Sequence, residues 1–363
     1  MNDRLVFALD PSYYSDPEIF ERESNTLFTS TWQFAGHASQ LKAVGDYFAF
    51  ELFGEDFFCV MGEDSRIRTF YNVCQHRAHP LVSGCGSVTN LTCPYHAWTY
   101  DLSGNLRFGP NLKAVKALDC SKIRLTEVRT EVFLNFIFVN MDSSCEPMDR
   151  WFPRVREQME EFLPDCSELT PIEWIEIDEN CNWKVSIENY SECYHCALNH
   201  PSFSTGVIRP DRYDIQPQGY CLRHTAQART QKSMSYAIDA SVPFANDYSS
   251  WYLWPMFSFQ VYPGQILNTY HWRPVDAEHV RVWRGWFTRN SEDTEAIRQL
   301  AIQDRDTTVA EDIRLVESVH RGLKSRGYSP GPLVIDPNHG VNSEHSVATL
   351  HRWMSESIQE QVT

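Results

Sequence analysis

Two short Cys–His pairs constrain the fold of this chain more than any other feature of its sequence. The first pair is Cys74-Gln-His76 and the second is Cys93-Pro-Tyr-His96, with 16 residues between His76 and Cys93. The surrounding residues alternate between apolar and polar, and turn-forming residues interrupt them, which predicts loops between short strands. Two such loops side by side supply four metal ligands, one Cys and one His from each.

The distribution of the ligands over the loops distinguishes between two kinds of metal site. Zinc accepts two cysteines and two histidines, but zinc fingers usually place both cysteines first and both histidines second. A Rieske [2Fe–2S] centre carries two thiolates on one iron and two imidazoles on the other, so each loop supplies one of each. The pairs therefore favour a [2Fe–2S] cluster held by Cys74, His76, Cys93 and His96, with zinc as the alternative.

The remaining cysteines do not suggest a disulfide framework. The chain has 363 residues and eleven cysteines, an odd number, and its first residues do not read as an export signal. The nine cysteines outside the two pairs, Cys193 and Cys196 among them, are predicted to be small buried side chains.

The charge and the apolar runs limit the partners of the chain. A net charge of −16 leaves no basic surface that would neutralise phosphates. The longest apolar runs, such as residues 132–139, are too short to span a bilayer. We therefore expect a cytoplasmic protein that binds neither nucleic acid nor membrane.

The periodicity of the sequence predicts an α+β fold in two parts. Residues 47–141 have the short alternating runs of a small antiparallel β domain, and strand-like aromatic segments return at 219–287. Helical spacing is found at residues 148–163, 183–198 and 291–327. Ser291 is the predicted N-cap of the last helix. The outline is a small β domain followed by a larger domain in which helices cover one antiparallel sheet.

A second group of metal-ligand residue types lies between residues 192 and 201. Glu192 and His195 are three residues apart and share one face if this segment is helical. Pro201 disfavours helical geometry at His200, which leaves the ring of His200 free to turn toward His195. Two imidazoles and one carboxylate form a facial triad that leaves coordination positions open.

The carboxylate of such a triad has several candidates on the predicted C-terminal helix. They are Asp304, Asp306, Glu311, Asp312 and Glu317. Helical periodicity alone does not choose among them.

These motifs resemble those of the oxygenase (α) subunits of Rieske non-haem iron oxygenases. Residues 74–77 (CQHR) and 93–98 (CPYHAW) are similar to the Rieske signature of the ring-hydroxylating superfamily, with Ala78 where glycine is frequent. The resemblance implies a small all-β Rieske domain at 35–145 and a larger helix-grip domain with a mononuclear iron at 146–363. It also implies an N-terminal segment, residues 1–34, that packs with the catalytic domain.

The same resemblance implies roles for the residues of the second group. The sequence from Glu311 to Tyr328 is similar to the family's C-terminal ligand helix, and the iron ligand of that helix matches Asp312. The iron ligands are then His195, His200 and Asp312. Glu192 matches the acidic residue that links a cluster histidine of one subunit, His96 in this numbering, to His195 of the next. Most of the superfamily has Asp there, and Glu is the variant of the carnitine monooxygenase group.

Further segments resemble the branch of the family that acts on quaternary ammonium compounds, including carnitine monooxygenase and the glycine betaine and proline betaine demethylases. They are residues 189–196 (NYSECYHC), 251–255 (WYLWP), 315–328 and 343–345 (SEH). A trimethylammonium cation donates no hydrogen bonds, so proteins hold it with aromatic faces. The predicted pocket lining is Tyr194, Phe203, Trp251, Trp254 and Phe259. Packing in the core of a sheet is the alternative role for these aromatic side chains. The candidates for binding a substrate carboxylate are Arg209, Arg223 and His271.

The resemblance also implies an activity and partners. The chain is expected to activate O₂ and hydroxylate a small betaine-type substrate, with N-demethylation or C–N cleavage as the result. It has no flavin or nicotinamide fingerprint, so a separate flavin- or ferredoxin-type reductase is expected to deliver electrons from NAD(P)H. Head-to-tail contacts between subunits close into rings, which predicts a homotrimer. The rival hypotheses are an oxygenase for an aromatic acid and a Rieske electron carrier, for which a facial triad has no use.

Overall fold

The computed structural model describes residues 5–228, 247–288 and 294–359 of the chain. The chain divides into two compact units. The smaller unit comprises Phe28–Pro147, and the larger comprises Met1–Leu27 together with Met148–Thr363. Among the helices in these described ranges, none has the length and apolar character needed to cross a bilayer.

Three short helices lie near the N-terminus: α1 (Ser12–Ser15), α2 (Pro17–Asn25) and α3 (Leu27–Ser30). Helix α2 begins after Asp16, whose side chain accepts a hydrogen bond from the N–H of Glu18, and Pro17 occupies the first helical position. Glu23 of α2 is buried, and its carboxylate lies 2.7 Å from Nζ of the equally buried Lys184. This ion pair joins α2 to the segment that leads into residues 192–200.

The smaller unit is built from short antiparallel strands. They are β1 (Gln33–His37), β2 (Asp46–Leu52), β3 (Glu55–Met61), β4 (Ile67–Tyr71), β5 (Cys85–Ser87), β6 (Leu91–Thr92), β7 (Thr99–Tyr100), β8 (Leu106–Phe108), β9 (Glu127–Phe133) and β10 (Phe136–Asn140). One sheet has the order β1-β10-β9-β4-β3-β2-β5, and a small sheet has the order β6-β7-β8. The first Cys–His pair follows β4, and the second lies in the turn between β6 and β7.

The larger unit combines one sheet with the remaining helices. Its elements are α4 (Met148–Trp151), α5 (Val155–Phe162), β11 (Thr170–Glu179), α6 (Trp183–Tyr190), α7 (Cys196–Asn199), α8 (Pro201–Gly206), β12 (Asp214–Gln218), β13 (Cys221–Gln227), β14 (Asp247–Leu253), β15 (Phe257–Tyr262), β16 (Ile266–Pro274), β17 (Val280–Thr288), α9 (Thr294–Asp304), α10 (Ala310–Leu323) and α11 (His345–Gln359). The antiparallel sheet has the order β11-β17-β16-β15-β14-β13-β12. The predicted α+β class, a small β domain before a sheet covered by helices, is confirmed.

The two faces of the large sheet pack against different helices. Tyr190 at the end of α6 hydrogen-bonds the hydroxyl groups of Ser250 and Ser258, so these residues mark the α6 face. Trp251 points to the other side, where its indole N–H donates to Gln158 of α5 at 2.8 Å, and this is the α5 face. Because side chains alternate along a strand, each strand contributes every second residue to each face.

The prediction of one continuous helix at residues 183–198 is wrong. Helix α6 ends at Tyr190, and residues 191–195 form a turn before the short helix α7. The carboxylate of Glu192 accepts hydrogen bonds from the N–H groups of Tyr194 and His195, which replaces helical bonds with a local turn. Glu192 and His195 therefore approach each other through a turn and not along one helix face.

The cysteines in this turn also differ from the prediction. Cys193 and Cys196 are buried, as expected for small side chains, but they form a disulfide. Their Cα atoms are 4.9 Å apart, which is within the ordinary range for a disulfide.

The long C-terminal helix is interrupted by a π-helical turn. Helix α9 ends at Asp304, the π turn covers Arg305–Val309, and α10 follows and ends at Leu323. The predicted N-cap, Ser291, lies outside the described residues. A π turn inserts an extra residue and is frequent near functional sites. Here it separates Asp304 from Asp312 and changes the directions in which their side chains point.

Candidate active site

The two Cys–His loops of the smaller unit have the same backbone conformation. In each loop the cysteine carbonyl accepts a hydrogen bond at 3.0 Å from the alanine four residues later, Cys74 from Ala78 and Cys93 from Ala97. Both alanines have positive φ, 59° for Ala78 and 56° for Ala97. This left-handed conformation is uncommon for a residue other than glycine. Glycine, which is frequent at the position of Ala78 in the family, adopts this conformation without strain. In this chain both loops form the same turn with alanine.

The side chains of the four predicted cluster ligands lie together with the thiols inside and the imidazoles outside. Cys74 and Cys93 are buried, whereas His76 is exposed and His96 is half-buried. The rings of His76 and His96 have centroids 4.6 Å apart. Partial desolvation and the nearby charges of His76 and Arg77 lower the pKa of His96, so its imidazole stays neutral, as a metal ligand must be.

The arrangement of the four side chains fits a cluster that has two unlike sides. The two thiols lie on the buried side, and the two imidazoles lie toward the exposed side. A Rieske centre carries two thiolates on one iron and two imidazoles on the other, so this separation fits such a cluster.

The second group is assembled in the larger unit from two segments. The Nε2 atoms of His195 and His200 are 3.0 Å apart. The Oδ1 atom of Asp312, in the first turn of α10, lies 2.9 Å from Nε2 of His200 and 3.5 Å from Nε2 of His195. Three ligand atoms from two segments more than 100 positions apart thus meet at one point.

These three distances indicate the coordination geometry. Ligands about 2.1 Å from a metal and at right angles to each other are about 3 Å apart, whereas opposite ligands are about 4.2 Å apart. All three pairs in this group are 2.9–3.5 Å apart. The ligands therefore occupy one triangular face of the metal, and the opposite face is left for other ligands. The residues fit a mononuclear iron of the facial-triad type.

A second carboxylate orients each imidazole. The Nδ1 atom of His195 lies 2.5 Å from Oε1 of Glu192, and Nδ1 of His200 lies 2.9 Å from Oε2 of Glu311. Hydrogen bonds at Nδ1 fix the tautomer that presents Nε2 to a metal. Glu311 appeared in the sequence only as a candidate ligand beside Asp312. Its contact with His200 depends on tertiary packing, and no local pattern predicts it.

The charges around the two imidazoles favour a cation at this point. Burial alone would lower the pKa of His195, but hydrogen bonds with Asp312 and Glu192 outweigh it and raise the pKa to about 10. The same balance, with Asp312 and Glu311 as the partners, raises the pKa of His200. The carboxylates of Asp312, Glu192 and Glu311 therefore favour positive charge at this point in the metal-free protein. A bound metal cation supplies that positive charge.

The predicted pocket residues divide into two groups by their position. Phe203 in α8 lies on the α6 face, where its ring is 5.7 Å from Tyr248 and 6.4 Å from Tyr262. Tyr194 lies in the ligand turn and is 46% exposed. These two are close to the triad in the fold.

The other three predicted pocket residues pack elsewhere. Trp251 and its cross-strand partner Phe259 lie on the α5 face, because they alternate with Ser250 and Ser258. Trp254 packs against Trp183 and Trp353. The structure does not bring Trp251, Trp254 or Phe259 to the triad. The aromatic side chains of the α6 face instead include Tyr190, Tyr248, Tyr252, Tyr262, Tyr270, Trp272 and Trp286.

Comparisons with known proteins agree with this geometry. Residues 31–119 match the Rieske [2Fe-2S] domain, and residues 166–360 match the ring hydroxylating alpha subunit (catalytic domain). The carnitine monooxygenase oxygenase subunit of Escherichia coli (strain K12) is 34% identical over 364 residues, which cover 99% of this chain and 96% of that protein. The chloroplastic choline monooxygenase of Spinacia oleracea is 26% identical, with 96% of this chain and 77% of that protein covered.

A solved structure shows the same fold over the whole chain. It is a quaternary ammonium Rieske monooxygenase in complex with its substrate L-carnitine, with a TM-score of 0.86 and 30% sequence identity. The match covers 99% of this chain and 97% of that one. The resemblance drawn from the two ligand motifs is confirmed over the full length. The chain belongs to the α subunits of the Rieske non-haem iron oxygenases, which are oxidoreductases that carry a [2Fe–2S] cluster and a mononuclear iron.

Proposed function

We propose that this chain is the oxygenase component of a multicomponent monooxygenase that hydroxylates a small betaine-type quaternary ammonium compound. The observation that carries the proposal is the full-length similarity to the carnitine monooxygenase oxygenase subunit. The choline and glycine betaine monooxygenases are more distant relatives, and their named substrates also carry a trimethylammonium group. The three substrates share the cationic group and differ in the rest of the molecule.

In this proposal the smaller unit is the cluster domain and the larger unit is the catalytic domain. Cys74, His76, Cys93 and His96 hold the cluster. His195, His200 and Asp312 hold the mononuclear iron. The cluster supplies electrons, and the ferrous iron supplies the site at which O₂ is activated. The chain's own contribution is to keep three iron ligands on one side, so that O₂ and substrate share the other.

The aromatic side chains of the α6 face support the choice of a cationic substrate. Tyr190 lies between the triad turn and the sheet, and its ring is 4.9 Å from Tyr270 and 5.0 Å from Trp272. Tyr248 lies 5.9 Å from Tyr262 and 5.7 Å from Phe203. The faces of such rings attract a cation that donates no hydrogen bonds, and each contact is worth about 0.5–2 kcal/mol. This cluster takes the place of the predicted set around Trp251.

Glu192 is the proposed link between the two metal centres of neighbouring subunits. Its carboxylate already contacts Nδ1 of His195 and remains 13% exposed, so one side of it is available to another subunit. The second contact is proposed to be His96 of the partner subunit, whose ring lies at the partially exposed tip of the cluster loops. A head-to-tail arrangement of this kind closes into a ring, and we propose a homotrimer.

The proposed electron source is a separate reductase that takes electrons from NAD(P)H in the cytoplasm. A hydroxyl group placed on an N-methyl carbon gives an unstable product that releases formaldehyde and the demethylated amine. A hydroxyl group placed on the chain carbon that is bonded to nitrogen gives an unstable product that breaks at the C–N bond into an aldehyde and trimethylamine. The position of the substrate relative to the triad decides between these products.

The test is turnover by the purified protein, loaded with both metals and supplied with a reductase and NADH. The substrate panel contains carnitine, γ-butyrobetaine, choline, glycine betaine and proline betaine, with benzoate-type aromatic acids as the comparison. We expect substrate-dependent O₂ uptake with equivalent formation of formaldehyde or trimethylamine from at least one ammonium compound. Turnover of an aromatic acid with no ammonium compound accepted would overturn the proposed substrate class.

A further inference from the structure

Three buried N–H groups on the α6 face have no hydrogen-bond acceptor. They are Nδ2 of Asn268, Nε of Arg284 and Nε1 of Trp286, and none of them has a partner within the part of the chain that the structure describes. The three residues are 0%, 1% and 0% exposed. A buried donor without a partner is costly, so three of them on neighbouring strands call for an acceptor that these residues do not find in the chain.

The register of the sheet puts these donors side by side. Asn268 on β16 pairs directly with Trp286 on β17, and Arg284 pairs with Tyr270 two residues along. All four residues are of the same parity along their strands, so they share a face. The orientation of the Asn268 side-chain amide is fixed, since Nη2 of Arg284 donates a hydrogen bond to its Oδ1 at 2.8 Å. Its Nδ2 must therefore point elsewhere.

The guanidinium group of Arg284 is held rigidly and is electrically balanced. Its Nη1 contacts the carboxylate of Asp304, which also accepts a hydrogen bond from Tyr262 at 2.7 Å. Its plane lies over Tyr270, with Cζ 4.0 Å from the ring centroid. The pair of Arg284 and Asp304 has no net charge. An ion pair without net charge is compatible with a ligand that is also neutral overall and accepts hydrogen bonds, such as a betaine zwitterion.

The donors lie at a suitable distance from the iron ligands. Arg284 stacks on Tyr270, and Tyr270 packs against Tyr190, which precedes the ligand turn. Asp304 precedes Asp312 by eight residues, with the π turn between them, which is at most about 12 Å along the axis. A short zwitterion with its ammonium group among the tyrosines can place a carboxylate at these donors.

We propose that Asn268, Arg284 and Trp286 form the subsite for the substrate's carboxylate. The inference rests on the proposed function and adds the requirement that the preferred substrate is an ammonium compound with a carboxylate, in contrast to choline. The carboxylate oxygens accept hydrogen bonds from Nδ2, Nε and Nε1, while the trimethylammonium group faces the aromatic rings nearer the iron. These three are specificity-determining residues.

The candidates taken from the sequence do not provide this subsite. Arg223 pairs with Trp251 and His271 pairs with Phe257, which places both on the α5 face. Arg209 binds Asp211 at 3.0 Å near the surface, and its side chain is 41% exposed. The side chain that the sequence did not single out, Arg284, is the one buried on the α6 face.

Two conservative variants test the subsite without removing its ion pair. Asn268→Asp keeps the oxygen that accepts from Arg284 but replaces the free N–H with an oxygen that repels a carboxylate. Trp286→Phe removes only the indole N–H. The matched control is Trp283→Phe, since Trp283 has a buried and unpartnered Nε1 on the same strand, among the described residues, but lies on the α5 face.

Dissociation constants are measured by calorimetry on the metal-loaded protein for three ligands. The ligands are γ-butyrobetaine, its carbon isostere in which a tert-butyl group replaces trimethylammonium, and choline. For γ-butyrobetaine we expect about 10-fold weaker binding in Trp286→Phe and about 100-fold in Asn268→Asp, with a much smaller change for choline. The Trp283→Phe control should bind all three ligands as the unaltered protein does.

The three ligands separate failure of the subsite from failure of the proposed function. Equal weakening of γ-butyrobetaine and choline, or no change for either, would overturn the carboxylate subsite and leave the ammonium class intact. Binding of the carbon isostere that is lost in Asn268→Asp, with no preference for the ammonium compound, would support the subsite and contradict the substrate class. If Asn268→Asp fails to fold, Trp286→Phe decides alone.

Discussion

The two metal sites of this chain are built in opposite ways. The cluster ligands all lie between residues 74 and 96, in two loops that repeat one backbone turn, and their imidazoles reach the surface. The iron ligands come from residues 195, 200 and 312, and their ligand atoms are mostly buried. A metal site made of local turns can be predicted from the spacing of its ligands in the sequence. A metal site that depends on the packing of distant helices can be predicted only in part.

The largest expected effect separates the two sites completely. His200→Ala removes one of three iron ligands, and we expect loss of the mononuclear iron with the cluster's visible absorption unchanged. Asp312→Ala should give the same result, because no residue is shared between the sites. Cys93→Ser should have the reverse effect or prevent folding of the smaller unit. The measurements are iron content and the absorption spectrum of each purified variant.

Full iron occupancy in Asp312→Ala would contradict the assignment of the third ligand. Glu311 would then be the first residue to test, because its carboxylate is the other one that approaches His200. The double variant Glu311→Ala with Asp312→Ala distinguishes the two.

The next effect concerns the carboxylate that is proposed to connect the sites. Glu192→Gln removes no metal ligand, so both metals should stay bound and the reductase should still reduce the cluster. Turnover should fall by about 100-fold or more, because losses of such orienting groups alone cost about 10–100-fold and this one is also proposed to carry the electrons. Glu192→Asp should be intermediate, since the charge remains but its reach is shorter.

Single-turnover reoxidation of the cluster is the decisive measurement for Glu192. Slow reoxidation at normal iron content supports the bridge between neighbouring subunits. Near-normal reoxidation in Glu192→Gln would show that electrons take another route and that the carboxylate only orients His195. A fully active monomer in sedimentation would also contradict the bridge.

The third effect contrasts the pH dependence of the two sites. His195 has a pKa of about 10 in the metal-free protein, so iron must displace a proton throughout the neutral range. One displaced proton makes the apparent affinity for Fe(II) rise about 10-fold per pH unit, or about 100-fold between pH 6 and pH 8. Acid therefore weakens iron binding and alkali strengthens it. The pKa of His96 in the cluster site is lowered, so we expect no such proton displacement there.

Anaerobic titration of the metal-free protein with Fe(II) against a competing chelator measures this dependence. Glu192→Gln removes one of the hydrogen bonds that raise the pKa of His195, and its slope should be shallower. An affinity independent of pH would show that His195 is unprotonated in the metal-free protein.

Features formed by local sequence were predictable, and features formed by tertiary packing were not. The cluster loops and the α+β class follow from local spacing and alternation, which need no tertiary contacts. The third iron ligand does not, since five acidic candidates lie between residues 304 and 317 of the predicted helix and the π turn changes their direction. The structure separates the five by their partners. Asp304 contacts Arg284, Glu311 contacts His200, and Asp312 contacts both imidazoles. Asp306 pairs with Arg305, and Glu317 accepts hydrogen bonds from Asn180.

The choice of pocket residues failed for a different physical reason. Strands β14 and β15 are buried along nearly their whole length, so both of their faces pack inside the unit. A strand covered on both sides carries large side chains on both faces, so the aromatic residues alone do not show which face lies toward the triad. The sequence predicted an aromatic strand but selected Trp251, one residue away from Tyr252 and the α6 face.

The smallest effect is expected for Glu311, and it tests whether the two orienting carboxylates are equivalent. Glu311→Gln keeps an oxygen that can accept from Nδ1 of His200, at the position now 2.9 Å away. We expect iron affinity to fall by about 10-fold or less, with turnover per bound iron nearly unchanged. Glu192→Gln should show the opposite pattern, with iron retained and turnover lost. Because both substitutions make the same chemical change beside an iron ligand, the difference between them measures what Glu192 does beyond holding a ring in place. Equal losses of turnover per iron in both variants would mean that neither carboxylate carries electrons.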